Sequence, residues 1–329
     1  MIGVLVIEAE KFGGPEVLVA REVPDLVAGP GEVVVKVAAV DTLFVDAQIR
    51  SGWGQEFFNI EPPYSPGGGV SGEVISVGED VDPAWAGRRV LTYTGGLEGH
   101  SGYAEQAVAA ADGLVPVPSG LGLQEAASLL HDGVSAYGLF ERAKVTPEDS
   151  VLVVGATGGA AILLIQLAHA AGAKVIGAAR GEHKLDVARG LGADVVVDYS
   201  EPGWAERVRE ATGGKGVRVV FDGVGGEIGE AAFQVVADGG WMSAHGAPTG
   251  GFSAIDPARA AQRGVTLHGI AEMQLDLADR TRLTEQALND AAAGRIRPLI
   301  GQTFPLERAA EAHTAIEART VVGKTLLLP

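Results

Sequence analysis

The sequence predicts an α/β fold in which a doubly wound parallel sheet accompanies a β-rich domain. A change of texture along the chain carries this expectation. Up to about Pro118 short β-like runs are separated by turn clusters, and from Leu121 helices alternate with short apolar strands. Repeated βα units of this length require a parallel sheet with helices on both faces. The 329 residues suit about two domains, and a hydrophobic content of 47% supplies material for their cores.

In the β-rich part, residues 32–40 (EVVVKVAAV) and 72–77 (GEVISV) read as strands. The clusters AGPG, PPYSPGGG and TGGLEGHSG break them, because Gly and Pro punctuate strands. The second part begins with VLVVG, a buried strand, and the helical AAILLIQLAHAAG. Next come the strand KVIGAA, a helix from about Glu182, the strand DVVVDY and a helix from about Pro202. The strand in VRVVFDGVGG, a helix over 227–236 and GGWMSAHG complete the series. From about Arg295 the chain reads strand, helix, strand (PLIGQTF, LERAAEAHTAIEA, GKTLLLP). This segment is expected to return to the first domain, since chain termini often lie together.

Composition excludes several functions. A formal charge of −17 opposes binding to a phosphate backbone, which needs a basic face, so no nucleic-acid partner is expected. Apolar stretches are interrupted by Gly, His or charge within about 18 residues, too short for a membrane span. The start, MIGVLVIEAEKFGG, lacks the basic region and cleavage site of a signal peptide. A cytoplasmic protein without membrane attachment is expected. The absence of cysteine removes disulfides, thiolate catalysis and Cys-ligated metals.

The stretch 151–180, VLVVGATGGAAILLIQLAHAAGAKVIGAAR, carries the first functional signal. A dinucleotide turn follows a buried strand and opens a helix, with small residues that let the backbone approach the pyrophosphate. The G-x-G-x-x-G positions fall on Ala156, Gly158 and Ala161, with Gly155 and Gly159 flanking the middle one. The bland alternative is a Gly-rich turn that binds nothing. An NAD-binding unit usually places Asp or Glu at the end of the next strand. Here that strand ends in Ala178, Ala179 and Arg180, and Lys184 follows one turn later. A guanidinium grips a 2′-phosphate in forked geometry, whereas a carboxylate repels it. One charge-assisted hydrogen bond contributes roughly 1.5–3 kcal/mol, or about ten- to a hundredfold in affinity. NADPH is therefore the expected cofactor. The alternative is that Arg180 and Lys184 are solvated residues at a helix start, partly cancelled by Glu182.

Over essentially its full length the chain resembles the medium-chain dehydrogenase/reductase superfamily, and most closely its zinc-independent quinone oxidoreductase (zeta-crystallin-like) branch. The residues that carry the resemblance include AQIRSG (47–52), PGGGVSGEVISVGEDV (66–81), GRRV (87–90), GYAEQAV (102–108) and EAASLLHDGVSAYGLF (125–140). GATGGAAILLIQLAHAAGAKVIG, GLGADVVVDY (190–199), TGGKGVRVVFDGVGG (212–226) and the terminal VVGKTLLLP extend it. The resemblance implies a GroES-like catalytic domain over 1–120, completed by 295–329, and a Rossmann domain over 121–294. It also implies a homodimer and an active site in the cleft between the domains.

Zinc-using relatives hold their metal with a Cys, a His and a later Cys or Asp, at positions that the resemblance matches to Leu43, to Gly68 and to a place at or near Asp132. Leu43 and Gly68 cannot ligate, and one carboxylate does not make a site for zinc, which wants about four N, S or O ligands. His100, His131 and Asp132 are not expected to regroup around an ion. The pair His131–Asp132 reads as a helix pair with local hydrogen bonds. No metal is expected.

Without a metal the acceptor must need no Lewis acid, as with a quinone or a double bond conjugated to a carbonyl. Charge grows on the carbonyl oxygen as hydride arrives, so hydrogen bonds aimed there lower the barrier. The resemblance makes Asp46, Ser135 and Tyr64 the catalytic candidates, although Asp46 reads equally as structural. Leu43 and Gln48 would line the substrate cleft, where relatives often carry Asn and Tyr. Tyr103 reads as core. For the cofactor, the resemblance implies Thr157, Gly158, Gly159, Ala160 and Ala161 at the pyrophosphate and Tyr199 by the adenosine. It puts Asp222, Val224, His245 and Gly246 along the nicotinamide half and Lys324 approaching from the terminal strand. Two rival functions share this fold: an NADPH-dependent enoyl or alkenal reductase, and a crystallin-like protein that binds cofactor without turnover. A short-chain dehydrogenase is excluded because no Tyr has Lys four residues later. A serine hydrolase is excluded because no G-x-S-x-G occurs.

Overall fold

The computed structural model describes residues 3–55, 58–94, 102–248, 250–270 and 274–329. His100, most of TGGLEGHSG and Thr249 lie outside the described residues. Contacts divide the chain into two units, Met1–His131 with Leu277–Pro329, and Asp132–Asp276.

The first unit begins with the antiparallel hairpin of β1 (Val4–Ala9) and β2 (Leu18–Val23). Strand β3 (Glu32–Thr42) leads into helix α1 (Phe44–Arg50), followed by β4 (Gly69–Val77), β5 (Arg89–Tyr93), β6 (Gln106–Ala110), β7 (Val115–Pro116) and helix α2 (Leu123–Ala127). Strand β3 is central because it is apolar almost throughout. Val33, Val34, Val35, Val37, Ala39 and Val40 are all buried, as expected of a strand covered on both faces. It pairs with β4 along one edge and with β6 along the first half of the other.

Helix α3 (Leu130–Ala143) starts in the first unit and runs on into the second. There follow β8 (Ser150–Val154), α4 (Gly159–Ala170), β9 (Lys174–Ala179), α5 (Glu182–Gly190), β10 (Val195–Asp198) and α6 (Trp204–Ala211). Strand β11 (Val217–Asp222), α7 (Gly226–Gln234), β12 (Val236–Ala244), α8 (Pro257–Gln262) and β13 (Thr266–Gly269) complete the unit. The six strands lie in the order β10-β9-β8-β11-β12-β13, and every pair is parallel. This is the doubly wound Rossmann arrangement, with its topological switch point between β8 and β11.

The chain then returns to the first unit through α9 (Leu277–Ala292), β14 (Ile300–Pro305), α10 (Ala309–Glu317) and β15 (Lys324–Leu328). Strand β15 pairs antiparallel with the last residues of β3. The C-terminal segment therefore extends the GroES-like sheet.

Two expectations differ from the structure in detail. The helix expected over 227–236 ends at Gln234, because Val236 already opens β12. The division expected at 120/121 and 294/295 also shifts. Helix α2 packs on β3 and β4, and α9 touches β7, so both belong to the first unit. Among the described residues no helix is long and apolar enough to cross a membrane.

Candidate functional site

The fingerprint turn leaves β8 at Val154. Gly155 has φ +79°, and a Cβ there would also press on Val224 Cγ2 at 3.0 Å. Ala156 and Thr157 are buried, and Gly158 donates its N–H to the Gly155 carbonyl at 2.8 Å. Gly158 is the N-cap of α4, so the N–H groups of Gly159, Ala160 and Ala161, which have no acceptor within the helix, open a helix of 12 residues. Such a terminus favours an anion through both its donors and its dipole. A Cβ on Gly158 would meet nothing nearer than the Gly155 carbonyl at 3.4 Å, whereas one on Gly159 would run into the Asp132 carboxylate.

Strand β11 ends at Asp222, in register with Val154, so its turn lies across the switch point from the fingerprint. The buried Asp222 carboxylate accepts N–H bonds from Val224 at 2.9 Å and Gly225 at 3.0 Å, and the Ser253 hydroxyl. Its carbonyl accepts from His245 and Gly246. Asp222, expected along the cofactor, holds the DGVGG turn together through its oxygens. Gly246 was expected there too, but its lack of a side chain is required by the Gly223 backbone, which a Cβ would strike. His245 pairs through Nδ1 with Ser243 Oγ at 3.0 Å. Burial pushes its imidazole down to about 4 against the opposing pull of Asp222, so the ring is neutral at pH 7.

At the end of β9, Arg180 is exposed and Lys184 half-buried. Burial and the nearby positive charge of Arg180 both lower the Lys184 pKa, so the two cations share one neighbourhood. Glu182, expected to cancel them in part, pairs with Arg189 at 2.7 Å instead. The acid that does lie close is Asp198, at the end of β10, which sequence reasoning missed. Burial would raise its pKa, but Ser200, the Gly181 N–H and Arg180 together lower it. Its oxygens accept from Gly181 N–H at 2.7 Å and from Ser200. Tyr199 follows it, packed against the core of this unit.

In the first unit, the catalytic candidates Asp46 and Tyr64 are both buried. Asp46 is buried and accepts the Leu43 N–H at 2.9 Å, which caps the first turn of α1. Tyr103 Oη lies 3.3 Å from the same carboxylate and 2.9 Å from His313 Nε2. Burial raises the Asp46 pKa to about 6, against the lowering effect of the Leu43 N–H. Tyr64 lies in the hydrophobic core with its backbone bonded to Ala9. Its phenol pKa is raised by burial. Leu43 is the N-cap of α1 and Gln48 lies within it, both half-buried, and Ser135 is half-buried on α3.

Lys324 does not extend freely toward a cofactor. It is buried and forms an ion pair with the fully buried Asp41 of β3. Asp41 also accepts from His131, through Nδ1 at 2.6 Å and the main-chain N–H at 3.2 Å. The expected local bonding of His131 with its helix neighbour is replaced by this contact across 90 residues. Burial alone would raise the Asp41 pKa, but Lys324 and His131 outweigh it and hold it at about 2.

Residues 29–119 match the Alcohol dehydrogenase GroES-like domain, and residues 159–288 match the family described as Zinc-binding dehydrogenase. The chain is 33% identical to the 2-haloacrylate reductase of a Burkholderia species, over 97% of each protein. It is 32% identical to the quinone oxidoreductase of Pseudomonas aeruginosa, over 98% of this chain and 99% of that one. This chain belongs to the medium-chain dehydrogenase/reductase superfamily, in its quinone oxidoreductase branch. The Escherichia coli quinone oxidoreductase complexed with NADPH shares the fold of this reductase, with a TM-score of 0.90 at 29% identity, covering 99% of this chain and 100% of that one.

As a member of this superfamily the chain is an oxidoreductase. Among the described residues, no three His, Cys, Asp or Glu side chains are grouped so as to hold a metal ion.

Proposed function

We propose that this reductase transfers hydride from NADPH to a conjugated carbonyl acceptor, a quinone in the first instance, without zinc. The observation that carries the cofactor choice is the placement of two cations at this strand end, Arg180 directly after β9 and Lys184 in the first turn of α5, with Glu182 paired to Arg189. A 2′-phosphate between the two cations relieves their repulsion and accepts charge-assisted hydrogen bonds. NADPH fits the fingerprint turn as well, since nothing in the protein itself fills the space a Cβ on Gly158 would take.

The N–H groups of Gly159, Ala160 and Ala161 would hold the pyrophosphate, with Thr157 and Gly158 forming the turn beneath it. Tyr199 would lie by the adenosine, and Val224 and His245 would flank the nicotinamide half. NADPH, when bound, supplies the hydride. The protein's part is to orient the acceptor and exclude water. Leu43 and Gly68, which offer no ligand atom, support a reaction without zinc, and a quinone can take its protons from water. The same reading expects a cytoplasmic homodimer.

The test compares NADPH and NADH oxidation with 1,4-benzoquinone in the presence of EDTA. Turnover should favour NADPH, and Arg180→Ala should reduce that preference by about ten- to a hundredfold, the value of one charge-assisted bond. Equal use of both cofactors by the unaltered protein would overturn the assignment. A second reading, reduction of an activated carbon–carbon double bond, is supported by the 33% identity to the 2-haloacrylate reductase of a Burkholderia species.

A further inference from the structure

We propose that His245 holds the carboxamide oxygen of the nicotinamide through an uncharged Nε2–H, and that the buried Ser243 is the positioning residue that sets this tautomer. The proposal rests on the cofactor reading above and concerns residues of the second unit alone.

Strand β12 brings the pair together. Ser243 lies within it and His245 just past its end, two residues on, so both side chains leave the same face. Ser243 is fully buried, in register with Phe221 of β11 on one side and His268 of β13 on the other. Its hydroxyl lies 3.0 Å from Nδ1 of His245. A buried hydroxyl directs its proton at an acceptor, and among the described residues Ser243 Oγ meets none besides Nδ1. Ser243 therefore donates, and Nδ1 carries no proton. Burial pushes the imidazole down to about 4 against the pull of Asp222, so the ring is neutral at pH 7. A neutral imidazole has one N–H, and here it is on Nε2.

The donor stands at the switch point of the sheet. The main-chain N–H of His245 is bonded to the Asp222 carbonyl at 3.1 Å, which ties the residue to the end of β11. A Cβ on Gly223 would lie 3.5 Å from Nε2 and 3.2 Å from the Val154 carbonyl oxygen. Nε2 thus lies by the converging ends of β8 and β11, the crevice in which sheets of this kind take ligands. Strand order divides a dinucleotide about that point. Arg180 and Lys184 follow β9 on one side of β8, whereas β11 and β12 lie on the other. With the pyrophosphate at α4, a group reached from the end of β12 belongs to the nicotinamide half.

Chemistry selects the carboxamide within that half. The phosphates have the N–H groups of α4, and ribose hydroxyls donate as readily as they accept, so neither needs a donor of fixed tautomer. The carboxamide oxygen only accepts. It is attached to a ring that becomes positively charged when hydride leaves, and an imidazolium beside it would repel the oxidised form. A neutral donor serves both redox states. Holding the carboxamide also orients the ring, which is the protein's share of a hydride transfer.

The test pairs a change in the ligand with a change in the protein. Dissociation constants are measured by calorimetry, without acceptor, for three ligands. These are NADPH, its thionicotinamide analogue, in which sulfur replaces the carboxamide oxygen, and 2′,5′-ADP, which lacks the nicotinamide half. The unaltered protein should bind NADPH about two- to tenfold more tightly than the thio analogue, the value of one neutral hydrogen bond. His245→Phe should lose that preference and leave 2′,5′-ADP binding unchanged. His245→Gln, which keeps an N–H near the place of Nε2, should retain part of it. Nitrogen NMR of the unaltered protein without cofactor should show the proton on Nε2 at pH 7, and Ser243→Ala should show both tautomers. A proton resident on Nδ1 of the unaltered protein would overturn this proposal alone. So would equal affinity of that protein for NADPH and the thio analogue, or an undiminished preference in His245→Phe. Failure of the unaltered protein to bind either NADPH or 2′,5′-ADP would overturn the cofactor reading itself.

Discussion

Gly158 and Gly155 sit three residues apart in one turn and need glycine for different reasons. At Gly155 the backbone demands it, through φ +79° and the contact with Val224. At Gly158 the protein makes no such demand, since φ is −73° and a Cβ finds ordinary contact. On the proposed reading, the need there comes from the pyrophosphate approaching the backbone. Gly158→Ala is therefore expected to change unfolding free energy by no more than about 1 kcal/mol, the usual scale of an N-cap change. The same variant should weaken NADPH binding at least tenfold, or about 1.4 kcal/mol. Gly155→Ala should show strain of roughly 1–2 kcal/mol in the fold itself. Urea unfolding and NADPH fluorescence titration, both without acceptor, separate the two. Equal loss of stability in both variants would remove the argument for a ligand at Gly158.

Helix α1 shows what an element does with a residue that the sequence alone leaves ambiguous. Asp46 stands at its third position and binds the N-cap amide of Leu43, so its role is local and structural. Burial gives that role a pH dependence. With the folded pKa raised from 3.8 to about 6, the folded state holds a proton between these values that the unfolded chain has released. Stability from this group is therefore greatest below about pH 4 and declines as pH rises through 6. A shift of about two units corresponds to about 3 kcal/mol. Asp46→Asn keeps an acceptor for Leu43 and loses the ionisation. Its unfolding free energy relative to the parent should rise by about that amount between pH 4 and pH 7, and a constant difference would show that Asp46 ionises normally. Elements such as α4 and β3 were legible because their apolar pattern is local and strong. The short, half-buried β13 and the polar α9 carried no comparable signal, and their existence is decided by neighbours distant in sequence.

At the scale of the whole chain, the decisive contacts of the candidate site are those that no local pattern announces. Asp41 gathers His131 and Lys324 from three separate stretches of sequence. A charge at the end of an apolar strand gives no hint of which distant cation will meet it. Position in the series βαβ, by contrast, pointed to the dinucleotide turn, since the switch point follows from strand order. The Asp41–Lys324 pair also joins the last strand of the chain to the central strand of the GroES-like sheet, so breaking it tests how that sheet is closed. Lys324→Met leaves Asp41 charged and buried, and removing one partner of such a pair typically destabilises by about 3–5 kcal/mol. Replacing both, as in Asp41→Asn with Lys324→Met, leaves no bare charge and should recover more than half of that loss. The dependence on acid has the opposite sign to that of Asp46. Because the folded pKa of Asp41 lies at about 2, below its ordinary 3.8, its contribution is complete above about pH 4 and is lost as pH falls through 2. The single variant should therefore lose its disadvantage as pH falls toward and below 2, where the carboxyl becomes protonated in the parent as well. Hydrogen exchange along β3 and β15 reports on the sheet itself at pH 7. Protection within about 1 kcal/mol of the parent in Lys324→Met would mean that desolvation cancels the pair, and that Asp41 is held there for the sake of His131 alone.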